Sequence, residues 1–310
     1  MKTTVDILLA TYQGRFFIEE QINSLMQQTY GSFRLVISDD GSSDGTWEWL
    51  NDLLKNEQLQ HKIILLPRGE RRGVVANFSY LLQHATAPYI MFADQDDVWY
   101  PEKIEKTLKK MQASETQYGT HTPILVHTDL TVVDHNRKSI HSSFWQYTRL
   151  NGASRKQFHQ ILTQNVVTGC TVMINRALAD LAQPIPKAAC MHDWWLALVA
   201  AAFGKIEALN EATLDYRQHG QNQIGAQQYG LQQLRHQKLW LTNVERKRAQ
   251  AAQARCFEEK YTLNLSIEHK SILVGYQDYC GSSFWRKRKA IIQYKFYKKG
   301  LLRNVYEFCM

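Results

Sequence analysis

Asp94, Asp96 and Asp97 crowd three carboxylates into the stretch YIMFADQDDVWYPEK, residues 89–103. Like charges packed so closely repel, and a hard divalent cation carrying phosphate oxygens offsets them. Mg2+ or Mn2+ accepts one or two protein carboxylates and fills its other positions with water and substrate phosphate. In a continuing strand Asp94 and Asp96 point to opposite faces, so one is the direct ligand while the other faces sugar or ribose. The alternative is an acidic turn that caps the next helix. Position favours the first reading: Tyr89–Ala93 is an apolar run of strand type, and ligands in open α/β sheets bind at the carboxyl ends of strands.

A second acidic turn, SDDGSSDG at 38–45, follows the strand-type run Phe33–Ile37. Asp40 there can accept a hydrogen bond from a base N–H or a ribose hydroxyl. It can equally shape the turn, with Asp44 capping a helix that carries Trp47, Leu50, Leu53 and Leu54. Between Pro67 and Gly73 stand Arg68, Arg71 and Arg72, whose forked donors suit a diphosphate; a solvated loop is the other fate for at least one of them. Asp193 opens an apolar helical stretch that ends at Phe203, where the helix dipole favours an anion and a simple cap would look the same. Gly169 interrupts the β-rich run Val166–Ile174 at a position suited to close backbone approach of a ligand. His219, just past Thr213–Tyr216, is either structural or a ligand for metal or phosphate.

These residues need a frame. Val5–Ala10 reads as a buried strand and Thr11–Gly14 as its turn, before Ile18, Ile22, Leu25 and Met26 recur at helical spacing. Strands at Phe33–Ile37, Ile63–Leu66 and Tyr89–Ala93 alternate with helices, the last before the 89 strand at Val74–Leu82, while Pro101 opens another helical pattern. Alternation of this kind predicts a mostly parallel sheet with right-handed crossovers and its binding face at the strand ends. Beyond Met111 the periodicity changes: Ile124–His127 and Thr131–Val133 read as two strands, with a hairpin-type turn at Asp134–Arg137.

The chain of 310 residues suits one large α/β domain plus an appendage. Its formal charge of +8 is localised. Arg286, Lys287, Arg288, Lys289, Lys295, Lys298, Lys299 and Arg303 account for all of it, with no acid between Tyr279 and Tyr306. Five scattered cysteines without a CxxC pair suggest neither a disulfide framework nor a zinc site, and so reduced thiols in a cytoplasmic protein. The longest later apolar run, Leu196–Phe203, is far below the ~20 residues of a membrane span.

Taken in order, LLATYQG, ISDDGSSDGTWEWL, FADQDDVWYPEK, VTGCTVMIN, MHDWW and YRQHGQNQIG resemble the family 2 nucleotide-sugar glycosyltransferases of the GT-A fold, over roughly the first 220 residues. FADQDDVW, HTDLTVVDHN and MHDWW are most similar to the bacterial rhamnosyltransferase branch of surface polysaccharide assembly. The resemblance implies that Thr11, Tyr12 and Asp40 hold the nucleotide, with Asp40 on the base. Asp94 and Asp96 match the DxD pair, Asp94 on the donor and Asp96 as the carboxylate for Mg2+ or Mn2+. Asp193 matches the catalytic base, and His219 falls where some members place a further ligand near metal or diphosphate. Of the three arginines, Arg72 is assigned to the donor. Two departures stand out: Gln13 where Asn is commoner, and Glu70-Arg71-Arg72-Gly73 in place of Asn-x-Gly before Asn77. Processive members carry QxxRW; the nearest match is Gln232, Arg235 and His236, which argues for transfer of a single sugar with inversion. The donor on this reading is a nucleotide sugar, dTDP-rhamnose by resemblance, and the acceptor a polysaccharide or lipid-linked glycan.

The expected division is a GT-A catalytic domain over 1–220 and a helical, basic extension over 221–310. Within the extension Leu231, Leu234 and Leu241 lie along one side, and Trp285, Ile292 and Phe296 are expected on one helical face among the cations of 284–303. That mixture suits the anionic inner face of the cell membrane, where a basic residue adds about 1 kcal/mol. A nucleic-acid partner is set aside because no recognition motif accompanies the charge; a solvated or oligomer-forming helix stays open. Two rival functions are a Mg2+-dependent phosphotransferase, for which no lysine is apparent near the acids, and a catalytically silent nucleotide-binding scaffold.

Overall fold

A computed structural model describes residues 3–150, 152–219, 239–281 and 283–309. Among these residues nine strands form one sheet: β1 Val5–Thr11, β2 Phe33–Asp39, β3 Ile63–Leu65, β4 Tyr89–Asp94, β5 Val98–Trp99, β6 Ile124–Val133, β7 Ser139–His141, β8 Val172–Asn175 and β9 Lys205–Arg217. Their order is β3-β2-β1-β4-β8-β6-β9-β5, with β7 beside β6. The half built from β1 to β4 is parallel, as the alternation of strands and helices requires. β8 then pairs antiparallel with both β4 and β6, so the second half is mixed.

Register decides where the site lies. Thr11 at the end of β1 stands opposite Asp39 at the end of β2, and Ala10 stands opposite Asp94 at the end of β4. The sequence VDILLAT is buried almost throughout because helices cover both faces of the sheet. Asp6 is the exception in type. Its buried carboxylate is held by two Arg34 hydrogen bonds of 2.9 Å and by the N–H groups of Thr86 and Ala87 at 2.7 and 2.8 Å, the pairing a buried charge demands.

Several elements differ from expectation. Ile124–Val133 is one strand, its two halves joined through a register irregularity at Thr128/Asp129. β9 begins at Lys205 rather than Thr213; its first residues are half-exposed and partly polar, so no apolar run marks them, and pairing with β6 makes them a strand. In the 166–174 run only Val172 onward is strand, and Gly169–Thr171 forms a 3-10 turn. A Cβ at Gly169 would come within 2.7 Å of His192 Nε2, so the close packing of this turn on the helix that carries Asp193 requires glycine.

The helix His192–Phe203 is apolar on nearly every side and therefore buried. Helices Leu239–Tyr261 and Ile267–Cys280 continue its hydrophobic cluster, with Phe257 5.4 Å from the Trp195 ring. Two more helices follow, Phe284–Gln293 and Leu301–Cys309. The expected face shared by Trp285, Ile292 and Phe296 is not formed. The helix stops at Gln293, Lys295 takes φ 54°, and Phe296 turns inward against Tyr276 and Tyr279 at 5.4 Å. Leu231, Leu234, Gln232, Arg235, His236 and the side chain of Leu241 lie outside the described residues. No described helix is long and apolar enough to cross a membrane.

Candidate functional site

The ends of β1, β2 and β4 and the far end of β9 converge. β5 pairs antiparallel with β9 at Val98↔Asp215 and Trp99↔Leu214, and this brings Arg217 and His219 against the turn 94–97. His219 Nε2 lies 2.6 Å from Asp96 Oδ2, and its ring stacks on Phe17 at 4.6 Å. Residues 123 positions apart, both expected to serve one cation, thus meet.

The site is acidic and largely buried, with Asp94 half-buried at its mouth. Burial, with the charges of Asp96 and Asp193 beside it, pushes the Asp94 carboxyl up to about 7. Asp97 is buried, and burial with the charges of Asp96 and Asp94 raises it well above the usual carboxylate range, against contacts with the Cys170 thiol and the Arg217 backbone N–H. Asp193, in the first turn of its helix, is also pushed up to about 7 by burial, against the N–H groups of Trp194, Gly169 and Asp193 itself. A hard dication fits this donor set, because burial and neighbouring carboxylates hold both Asp94 and Asp97 above the ordinary range and a further positive charge would relieve them. Ligand atoms of Asp94, Asp97 and Cys170 lie within 4.8 Å of one another, but the thiol is buried and its pKa raised, which leaves the oxygen atoms as the hard ligands.

The adjoining wall carries the other expected residues. Thr11 Oγ1 donates to Gln95 Oε1 at 2.6 Å, and Tyr12 N donates to the same oxygen at 2.8 Å, while Gln95 Nε2 donates back to Tyr12 O at 3.0 Å. A Cβ on Gly14 would sit 2.2 Å from Gln95 Oε1, so this loop closes only around glycine. The Tyr12 ring is covered by the Arg71 guanidinium at 4.0 Å. Asp40 is buried and accepts from Arg72 N at 2.6 Å and Gly73 N at 2.9 Å, so it braces the arginine loop. Arg72 lies over Tyr80 at 4.1 Å, and its buried Nη1 has no hydrogen-bond partner among the described residues. Arg68 is engaged internally, donating to Ser42 O and lying 3.4 Å from Asp39.

Three residues escaped the sequence reading. Gln95 sits between the two DxD acids, a position that hinted at a role. Arg217 is buried and donates Nε to Asp96 O at 3.0 Å and Nη1 to His135 O at 2.8 Å, fixing the acidic turn by its backbone; only its place two residues before His219 marked it. Lys103 is fully buried and donates to Thr213 Oγ1 at 2.9 Å. Burial lowers it to about 8, against the charges of Cys170 and Asp97, and nothing in the sequence separates it from Lys106. A lysine therefore does stand near the acids, contrary to expectation.

A sequence model described as "Glycosyl transferase family 2" matches residues 6–181. TuaG of Bacillus subtilis, whose name refers to teichuronic acid biosynthesis, is 28% identical over 219 residues, covering 70% of this chain and 79% of its own. The dTDP-rhamnosyl transferase RfbG of Shigella flexneri is 29% identical over 236 residues, covering 70% and 74%. Among solved structures, the mannosyltransferase PcManGT of Pyrobaculum calidifontis, in complex with GDP-Man and Mn2+, superposes with a TM-score of 0.58 at 15% identity, covering 94% of this chain and 74% of that one, a likeness of fold.

Proposed function

The chain belongs to glycosyl transferase family 2, and from that premise we propose that it moves one sugar from a nucleotide donor to a growing bacterial surface polysaccharide, with inversion at the anomeric carbon. The observation that carries this reading is the convergence of Asp94, Asp96, Asp193 and His219 at the strand ends of the sheet. The likeness to RfbG supports dTDP-rhamnose as the donor. The basic, apolar tail supports a lipid-linked acceptor at the inner face of the cell membrane. The phosphotransferase alternative gives way to the family match.

Asp96, assisted by His219, would hold Mg2+ or Mn2+, which when bound offsets charge on the departing nucleoside diphosphate. Thr11, Tyr12 and Asp40 hold the nucleotide, Arg72 meets the diphosphate and Asp94 faces the sugar. Asp193 takes the proton from the acceptor hydroxyl as that oxygen attacks C1 from the face opposite the leaving group. A base pushed up to about 7 is well matched to neutral conditions. The test is donor cleavage and transfer over a panel of nucleotide sugars, with and without Mn2+ or Mg2+, for the wild type and Asp96→Asn. Cleavage of one donor only with metal and only by the wild type is expected. Metal-dependent nucleotide binding without turnover on any lipid-linked acceptor would make the chain a scaffold instead.

A further inference from the structure

Twelve large apolar side chains stand exposed among the described residues, and nine belong to the segment from Leu263 to Val305. Trp285 is 77% exposed and Ile292, seven residues on along the same helix face, 62%. On the next helix Leu301 is 78% and Val305 51% exposed. The two helices are fastened together, since Arg288 donates to Phe308 O and Lys287 lies 3.4 Å from Glu307. So much exposed apolar surface in one short stretch of the chain marks an interaction region.

The structure also sorts the tail cations. Lys287 and Lys298 are turned inward onto Glu307, joined by Lys247 at 3.1 Å. Arg288 and Arg303 cap backbone carbonyls, Arg303 reaching Thr148 O and Lys299 O at 2.9 Å. Arg286, Lys289, Lys295 and Lys299 remain exposed, with no ion pair among the described residues.

We propose that these two helices dock on an anionic lipid surface, Trp285, Ile292, Leu301 and Val305 entering the interface while Arg286, Lys289, Lys295 and Lys299 meet the head groups. A second copy of the chain fits less well. A two-fold interface sets a patch against itself, and four cations would face four cations, whereas an anionic lipid sheet complements them. The docking explains how an enzyme without a described membrane-spanning helix reaches a lipid-linked acceptor, and in that respect it rests on the function proposed above.

The experiment is co-sedimentation of the full chain with phosphatidylcholine vesicles with and without phosphatidylglycerol, across a salt series, beside donor-nucleotide binding in solution. Binding only to the anionic vesicles, weakened by salt, is expected. Lys289→Gln and Lys299→Gln should each weaken it about fivefold, and Trp285→Ala with Ile292→Ala about tenfold or more, with nucleotide binding unchanged. Lys298→Gln is the contrasting variant: it should lower thermal stability and leave the vesicle affinity of the folded protein within about twofold, well short of a lost head-group contact. The proposal is overturned if the wild type ignores anionic vesicles, if the exposed-residue variants bind as well as wild type, or if light scattering shows a dimer that Trp285→Ala dissociates. Vesicle binding without nucleotide binding would leave docking intact and remove the functional reading.

Discussion

The strand-end site and the C-terminal helical layer solve opposite electrostatic problems. At the first, Asp94, Asp96, Asp97 and Asp193 are gathered with too little positive charge, and burial raises Asp94, Asp97 and Asp193 above the usual carboxylate range. At the second, a single buried carboxylate, Glu307, is surrounded by Lys247, Lys287 and Lys298. Burial opposes its ionisation, but the ammonium groups of Lys298 and Lys247 outweigh that and hold it far below the ordinary range, while burial lowers Lys247 to about 7. A site short of cations is completed by a ligand. A site that supplies its own is completed by folding, and its remaining task lies on its surface.

That contrast can be broken in order of expected effect. Asp193→Asn should reduce transfer about 10³-fold, within the 10²–10⁴ of a lost general base, and leave donor binding nearly intact; equal loss of both, read from kcat/KM against nucleotide affinity, would remove Asp193 from its role. Wild-type transfer should rise as pH climbs through about 7, where Asp193 loses its proton. A folded-state pKa raised from 3.8 to about 7 contributes stability that is present at acid pH and lost as pH rises through about 7. Asp193→Asn should therefore show a higher Tm than the metal-free wild type above that pH, a difference that shrinks on acidification.

Glu307→Gln strands three ammonium groups in a half-dry site and should cost about 3–5 kcal/mol of stability, measured by denaturant titration, with kcat of the folded fraction unchanged. Because the folded-state pKa of Glu307 is depressed, its contribution should be fully present above its usual value of 4.5 and fade as pH falls below it. A loss of catalysis without a loss of stability would show that the two regions are not separate. A smaller effect comes from Gln95→Ala. Three hydrogen bonds between the acidic turn and the Thr11–Tyr12 loop disappear, so on the proposed function donor KM should rise about tenfold with little change in Tm. An unchanged KM with a lowered Tm would make Gln95 a structural strut only.

Much of this was legible beforehand. Apolar runs of strand length ending in Thr11, Asp39 and Asp94 are local patterns, and the parallel register that aligns them follows from strands alternating with helices. The type and order of Asp40, Asp94, Asp96, Asp193 and His219 marked them for the same reason. The first half of β9 was hidden, since its residues are neither alternating nor apolar and only pairing with β6 makes them a strand. The tail was misread in part: counting charge cannot tell Lys298, turned onto Glu307, from its exposed neighbour Lys299.

The sequence by itself determined the family's order of motifs, the acidic strand ends and the basic, apolar character of the last helices, because each is written in residues close together along the chain. Tertiary structure alone decided that Gln95 ties the Thr11–Tyr12 loop to the acidic turn, that Arg217 anchors that turn from 121 residues away, and which tail cations stay exposed. Those outcomes depend on burial and on distance between residues remote in sequence, and no local pattern encodes either.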